Sequence, residues 1–320
     1  MAIGYTSTTQ VDPAVSIFYD RVLLKRALPN LHYNKFAQVR NIDKKSGNTV
    51  KWRRYTALSA ATVPLTEGTT PPGKQGAKTD ILAQISWYGD WMGISDVIDL
   101  TVEDRVLTEF TELEGEQMGL TIDNLTRDIL AATASYTNAS HGSLASTPTE
   151  ITKADIAAVV KTLLGANAQF ITAIQKASTG IGTSPVRASF WSIIHTDLTD
   201  DLEACSGFKS VAEYSKGDGV EGEWGNVGNV RFLTSSEAHR STASILTATY
   251  YCLVIGKDAY GTTEIKGGSA KSIVHDFGSG GAGDPLNQRA TVGWKIPFVA
   301  RILNDAFMNN LRVKHSTYTG

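Results

Sequence analysis

The chain has 320 residues, of which 42% are apolar and 19% charged, and a formal net charge of −2. A chain of that length buries about three quarters of its unfolded surface, so it needs no metal or disulfide staple to fold. Its near-neutral charge argues against a dedicated DNA-binding protein, which carries a strong basic excess.

No apolar run approaches the ~20 residues of a membrane helix. The first residues, MAIGYTSTTQVDPAV, lack the basic-then-apolar layout of a secretory signal. Cys205 and Cys252 form no CxxC pair and imply no disulfide framework, which fits a reducing compartment. Charge is nonetheless uneven. Residues 1–54 hold ten Lys/Arg and three Asp, a balance of +7, and the remaining 266 residues carry −9. Such a balance reads either as solvated surface or as a basic arm that meets an acidic surface, on the same or a neighbouring subunit, or nucleic acid.

Residues 1–46 read as an irregular arm with a short helix near residues 14–28, where Val15, Phe18, Val22 and Leu23 share a side. Residues 49–94 then read as a long two-stranded hairpin. Its outgoing strand is TVKWRRYTALSAATV and its returning strand ILAQISWYGDWMGI. On the return, Ile81, Ala83, Ile85, Trp87 and Trp91 alternate with Gln84, Ser86 and Asp90, the period of two of a half-buried strand. Each arm would extend roughly 45 Å. The tip, residues 64–80, collects Pro64, Pro71, Pro72, three glycines and four threonines. An enzyme rarely needs such an arm, whereas a subunit that reaches over its neighbour does.

Thr101 and Asp104 form a capping box. The helix it opens runs to about residue 134, roughly 45–50 Å. Val102, Val106, Phe110 and Leu113 share one face, and Met118, Ile122, Leu125 and Ile129 lie rotated from it. Gly115 and Gly119 sit at the change of face, where a bend would fit. The first half is acidic, with Glu103, Asp104, Glu109, Glu112, Glu114 and Glu116.

A polar loop follows at residues 134–150. Thr152 and Asp155 form a second capping box, opening a helix that buries Ile156, Val159, Val160, Leu163 and Leu164. Strands are predicted at residues 186–195, 229–234, 249–255 and 271–277, and short helices at 197–205 and 257–260. Residues 278–283 read as a flexible loop. The chain closes with an extended stretch, residues 287–303, in which Val292, Trp294, Ile296 and Phe298 alternate with Thr291, Gly293, Lys295 and Pro297. No internal repeat is present.

Motifs that could carry chemistry are weak. GSGGAG (Gly278, Gly280, Gly283) matches the dinucleotide fingerprint in letters, but no strand–turn–helix unit surrounds it. Ser206 and Lys209 match SxxK without the partner motifs. Asp197, Asp200, Asp201 and Glu203 suit a helix start better than a calcium loop. The six histidines show no zinc spacing, and nothing orients His195 toward Cys205 as a base toward a nucleophile. Trp52 and Arg54 point to one side of their strand and Lys51, Arg53 and Tyr55 to the other, so this cluster is not a one-sided platform for single strands. The expectation is a non-enzyme without cofactor or metal, whose tryptophans and arginines pack at the hairpin's base or anchor a protein interface.

Basic arm, long hairpin, acidic spine helix, α/β region and closing strand follow one another in the order found in major capsid proteins of tailed bacteriophages. Residues 48–55 (NTVKWRRY), 65–71 (LTEGTTP) and 284–296 (DPLNQRATVGWKI) also resemble one branch of that group. The resemblance implies an α+β fold of the Hong Kong 97 type. It makes residues 1–46 the N-terminal arm, 47–94 the extended loop, 95–145 and 284–320 the peripheral domain with its spine helix, and 146–283 the axial domain.

It further implies a virion protein, assembled in the host cytoplasm. Subunits would associate with one another as hexamers and pentamers of an icosahedral head, around double-stranded DNA touched non-specifically. A separate scaffolding protein, a portal and a decoration protein are the other partners it suggests; no membrane is among them. Contact candidates between subunits are Lys51, Trp52, Arg53, Arg54, Pro71, Pro72, Lys74, Lys78, Glu109 and Glu112. Some relatives weld subunits through a lysine–asparagine bond. Lys74 and Lys78 are formal donors, but no acceptor and carboxylate match residue by residue, so no cross-link is inferred. Two alternatives remain: an encapsulin-like shell enclosing protein cargo, and an enzyme or carbohydrate-binding module built on tryptophans.

Overall fold

The computed structural model describes residues 32–43, 47–97, 106–141, 147–171, 188–214, 220, 222–242, 248–265, 271–279 and 286–316. The helix expected near residues 14–28, the Thr101 capping box and most of the GSGGAG stretch lie outside them.

The predicted closing stretch is one long strand, β13 (Arg289–Ile302), and it organises the first sheet. Ala290, Val292, Trp294, Phe298 and Ala300 are buried along it, which keeps most of the alternation read in the sequence, although Ile296 is half-buried and Gly293 and Pro297 of the other face are buried as well. Ten of its residues pair antiparallel with β4 (Ser86–Ser95), and β12 (Lys271–His275) pairs along the other edge. β11 (Tyr260–Ile265) pairs with its C-terminal end, and β1 (Gln38–Ile42) joins β11 in parallel.

The spine is α1 (Val106–Ala131), 26 residues and roughly 39 Å long. Its rotated stripe packs as predicted. Met118 and Ile122, flanked by Leu125 and Ile129, meet Trp294, Phe298 and Ala300 of β13. The N-terminal stripe holds only in part. Leu107 and Phe110 pack against Ile94, Ala290 and Val292, but Leu113 is 46% exposed. The sheet face passes under positions 107 and 110, and 113 has rotated off it.

A second sheet runs β5 (Tyr136–Asn138), β14 (Met308–Lys314), β10 (Thr249–Ile255), β6 (Phe190–His195), β9 (Val230–Ser235), β8 (Glu223–Val227), β7 (Phe208–Ser210). Every residue of β6 is buried because both faces are covered. On one face Phe190, Ile194, Phe232, Tyr250 and Cys252 meet Ile156, Val159 and Leu163 of α2 (Lys153–Gly165) and Leu202 of α3 (Thr199–Ala204). On the other, Trp191, Ile193, Leu233 and Leu253 meet Tyr33, Phe36, Tyr260 and Leu130 at the end of α1. The Thr152–Asp155 capping box forms as predicted, and Asp155 also accepts from the Ser140 amide at 2.9 Å.

One ion pair lies inside this region. Arg231 Nε and Nη2 donate to the two oxygens of Glu223 at 2.6 Å each. The Tyr214 hydroxyl and the Val220 amide also donate to that carboxylate, at 2.9 and 3.0 Å. The guanidinium lies 4.8 Å from the Trp191 ring centre.

Two expectations are corrected. Residues 257–260 form a turn rather than a helix. Asp258 takes a positive φ of 58°, which interrupts helical geometry, and Tyr260 already belongs to β11. The long hairpin is also shorter than its sequence. β2 (Thr49–Tyr55) and β3 (Lys78–Gln84) pair over seven residues each, about 23 Å. At Ile85, whose amide donates to the Asn48 carbonyl, the returning strand leaves this ladder, and it pairs instead with β13. The strands of residues 136–138 and 308–314 lie in the second sheet, and those of 260–265 and 271–275 in the first. The sheets therefore exchange strands across the sequence positions 146 and 283.

Candidate inter-subunit surface

The inner face of the β2–β3 ladder is a small core. Val50 and Trp52 pack with Ala83 and Ile85 and against Val299 and Leu303. The predicted alternation holds through Ile81, Ala83 and Ile85. It fails for Trp87 and Trp91, which it set on the same face and which are exposed, because the strand changes sheets at residue 85. Trp52 is 4% exposed, so its ring anchors the hairpin to its own chain and offers no contact surface. It is corrected as a contact candidate for that reason.

The outer face is electrostatic. Asp80 lies opposite Arg53 in the register, 2.9 Å from Arg53 Nε and 2.7 Å from Lys51 Nζ, with Lys78 Nζ at 3.8 Å. The ammonium of Lys51 and then the guanidinium of Arg53 hold the Asp80 carboxyl down to about 2. Three of the basic contact candidates therefore already share one acid of their own strand pair. Arg54 is exposed.

Beyond Tyr55 the ladder ends with one further bond, from the Thr56 amide to the Ala77 carbonyl. Three prolines lack the amides a longer ladder needs, and no apolar alternation supplies a buried face. All residues from 56 to 77 are exposed, including Leu58, Val63 and Leu65, Pro71 and Pro72. Lys74 folds back on its own loop, 2.8 Å from Ser59 Oγ and 3.2 Å from the Ala60 carbonyl. On the spine, Glu109 is exposed and Glu112 partly so.

Sequence reasoning did not single out the second exposed apolar surface, at the hairpin's root. β4 turns Tyr88, Asp90 and Ile94 toward the body of the chain and Trp87 and Trp91 away from it, 58% and 64% exposed. Gly89 and Gly293 lie between the rings. A Cβ at Gly89 would come 2.5 Å from the Trp294 carbonyl oxygen, and one at Gly293 2.8 Å from that of Asp90. The resulting trough of about 430 Å³ is lined further by Ile273, His275 and Lys295, with Lys295 Nζ 4.8 Å from the Trp87 ring centre. The signal for this was available: in a strand written WYGDW, one face presents only tryptophan and glycine.

The weaker chemical candidates are dispersed. Asp197 accepts from the Tyr250 hydroxyl at 2.8 Å, while Asp201 binds the Ser316 amide at 3.0 Å and lies 3.0 Å from His315 Nδ1. These carboxylates brace different strands. Among the described residues no group of three or more His, Cys, Asp or Glu could hold a metal ion. His195 Nδ1 accepts from the Asp197 amide at 3.1 Å. Cys205 donates to the Ile151 carbonyl, and burial pushes its thiol up to about 11, the opposite of an activated nucleophile. Ser206 and Lys209 are both exposed, and no hydrogen bond joins them.

No protein-family model matches the chain, and no curated protein matches it. Its fold is similar to that of solved phage capsids. For the capsid of Ralstonia phage GP4 the TM-score is 0.63 at 14% identity, over 90% of each chain. For the head structure of Helicobacter pylori bacteriophage KHP40 it is 0.60 at 12% identity, over 99% of this chain and 95% of that one. For the capsid of the Cyanophage P-SCSP1u it is 0.57 at 18% identity, over 89% of both. The chain thus has the α+β fold of phage capsid proteins, as the order of its segments led one to expect.

Proposed function

We propose that this chain is the major capsid protein of a tailed phage, a structural subunit without enzymatic activity. Subunits assemble into hexamers and pentamers of an icosahedral head around double-stranded DNA. The observation that carries this reading is the pairing of that fold, over about nine tenths of the chain, with a hairpin whose 22-residue tip is exposed throughout and, among the described residues, hydrogen-bonds only within itself.

Uncovered strand edges and apolar patches favour partners. In a ring closed by head-to-tail contacts, the tip (Leu58, Val63, Leu65, Pro71, Pro72), the outer hairpin face around Lys78 and the exposed Arg54 at the far end of the inner face meet the next subunit. Glu109 and Glu112 supply acidic contacts, and the Trp87–Trp91 trough is the matching apolar surface. The peripheral and axial divisions of the chain, a separate scaffolding protein, a portal and a decoration protein belong to the same reading. No described helix is long and apolar enough to cross a membrane, which accords with a place in the virion.

Electron microscopy of the expressed chain, alone and with its phage's scaffolding protein, tests this. Closed icosahedral shells are expected, filled with DNA in the virion. Shells carrying protein cargo instead of DNA would point to an encapsulin-like compartment. A stable monomer under every condition would overturn the reading.

A further inference from the structure

The joint between the hairpin's root and the spine helix contains a carboxyl group that no described residue neutralises. Glu114, on α1, is 2% exposed, and neither of its oxygens has a hydrogen-bond partner. One turn further, Gln117 ties the joint together: its amide nitrogen donates to Asp90 of β4 at 2.7 Å, and its oxygen accepts from the Trp294 indole at 2.9 Å. Asp90 is the charged group that β4 brings to Glu114, with Asp96 just past the strand's end. On the helix itself the neighbouring charges are Glu109, Glu112 and Glu116. On β13, Arg289, Lys295 and Arg301 alternate onto the side opposite Trp294. Glu114 thus faces the charge of Asp90 and, among the described residues, no base.

We infer that Glu114 makes this joint a pH-operated hinge, closed while its carboxyl is protonated and loosened when it ionises beside Asp90. Burial, and then the charge of Asp90, raise Glu114 to about 7. Asp90 is held below its ordinary range by the Gln117 amide and the Trp91 backbone amide. Asp90 therefore carries the charge and Glu114 the proton. A carboxyl raised in the folded state leaves stability intact below its unfolded value of 4.5. Stability then falls as pH rises toward about 7, and the loss is complete above that. At neutral pH the group is near half ionised, so small changes shift the hinge. Because β4 continues directly into β3, loosening it weakens one of the two attachments of the hairpin's root, the other being the packing of Val50 and Trp52 against Val299 and Leu303.

The unassembled full-length chain tests this independently of shell formation. Carbon-13 titration of the Glu114 carboxyl is expected to give a midpoint near 7, and Asp90→Asn to move that midpoint down. Chemical denaturation from pH 5 to 9 should show the folding constant of the natural chain falling on the order of a hundredfold relative to Glu114→Gln, which keeps shape without the charge. Hydrogen exchange of residues 86–95, corrected for intrinsic rate, should speed up over the same range in the natural chain alone. A midpoint near 4.5, or the same pH dependence in both chains, would overturn the inference.

Discussion

The seven-stranded sheet and the hairpin are built on opposite terms. In the sheet, strands such as β6 are buried throughout, the Arg231–Glu223 pair is fully satisfied, and helices cover one face. In the hairpin, one short ladder rests on Trp52 and its neighbours, and everything past Tyr55 is in solvent. The sheet holds its stability within one chain. The hairpin carries its apolar residues, Leu58, Val63 and Leu65, where one chain has no use for them. A single polypeptide thus separates what folds it from what it presents to others.

The largest expected effect sharpens the sheet's side of that contrast. Glu223→Ala leaves the Arg231 guanidinium buried without its carboxylate, so equilibrium unfolding should show a loss of about 3–5 kcal/mol. Leu65→Ser with Pro71→Ala should leave stability within about 0.5 kcal/mol, yet reduce the yield of particles in sedimentation. If both variants destabilise the free subunit alike, the separation fails.

Electrostatics at the hairpin should act more weakly. Arg53→Glu first disrupts the Asp80 cluster of its own chain, so Arg54→Glu is the cleaner probe. It should slow assembly more than Lys257→Glu on the β10–β11 turn, and the defect should ease as salt rises. A defect independent of salt would mean lost packing. The smallest effect is acid-dependent. Asp80 is depressed to about 2 from an ordinary 3.8, so its contribution persists above 3.8 and is lost as pH falls toward 2. Amide exchange of residues 49–55 should quicken there in the natural chain and not in Asp80→Asn.

The sequence displayed what depended on local pattern. Val292, Trp294 and Phe298 alternate plainly, Thr152 and Asp155 stand at capping distance, and the tip's prolines mark the end of pairing. It hid what depended on partner choice. The returning strand of the hairpin alternates equally well as a continuation opposite residues 56–63 or as the neighbour of β13, and only the three-dimensional sheet decides. β14 escaped notice because Asn309, Asn310 and Arg312 break its apolar alternation although the first two are buried. β11, YGTTEI, offers glycine and threonine where a strand usually shows branched apolar residues. Glu114 looked like one more solvated acid of a charged helix, since burial of a single position follows from the packing of β4 across it.

Hydrogen exchange of residues 56–77, compared between free subunits and finished particles, tests the central claim most directly. The account predicts fast exchange in the free subunit and strong protection in the particle, with the seven-stranded sheet protected alike in both. Equal exchange of the tip in the two states would contradict it, because the hairpin would then reach no neighbour.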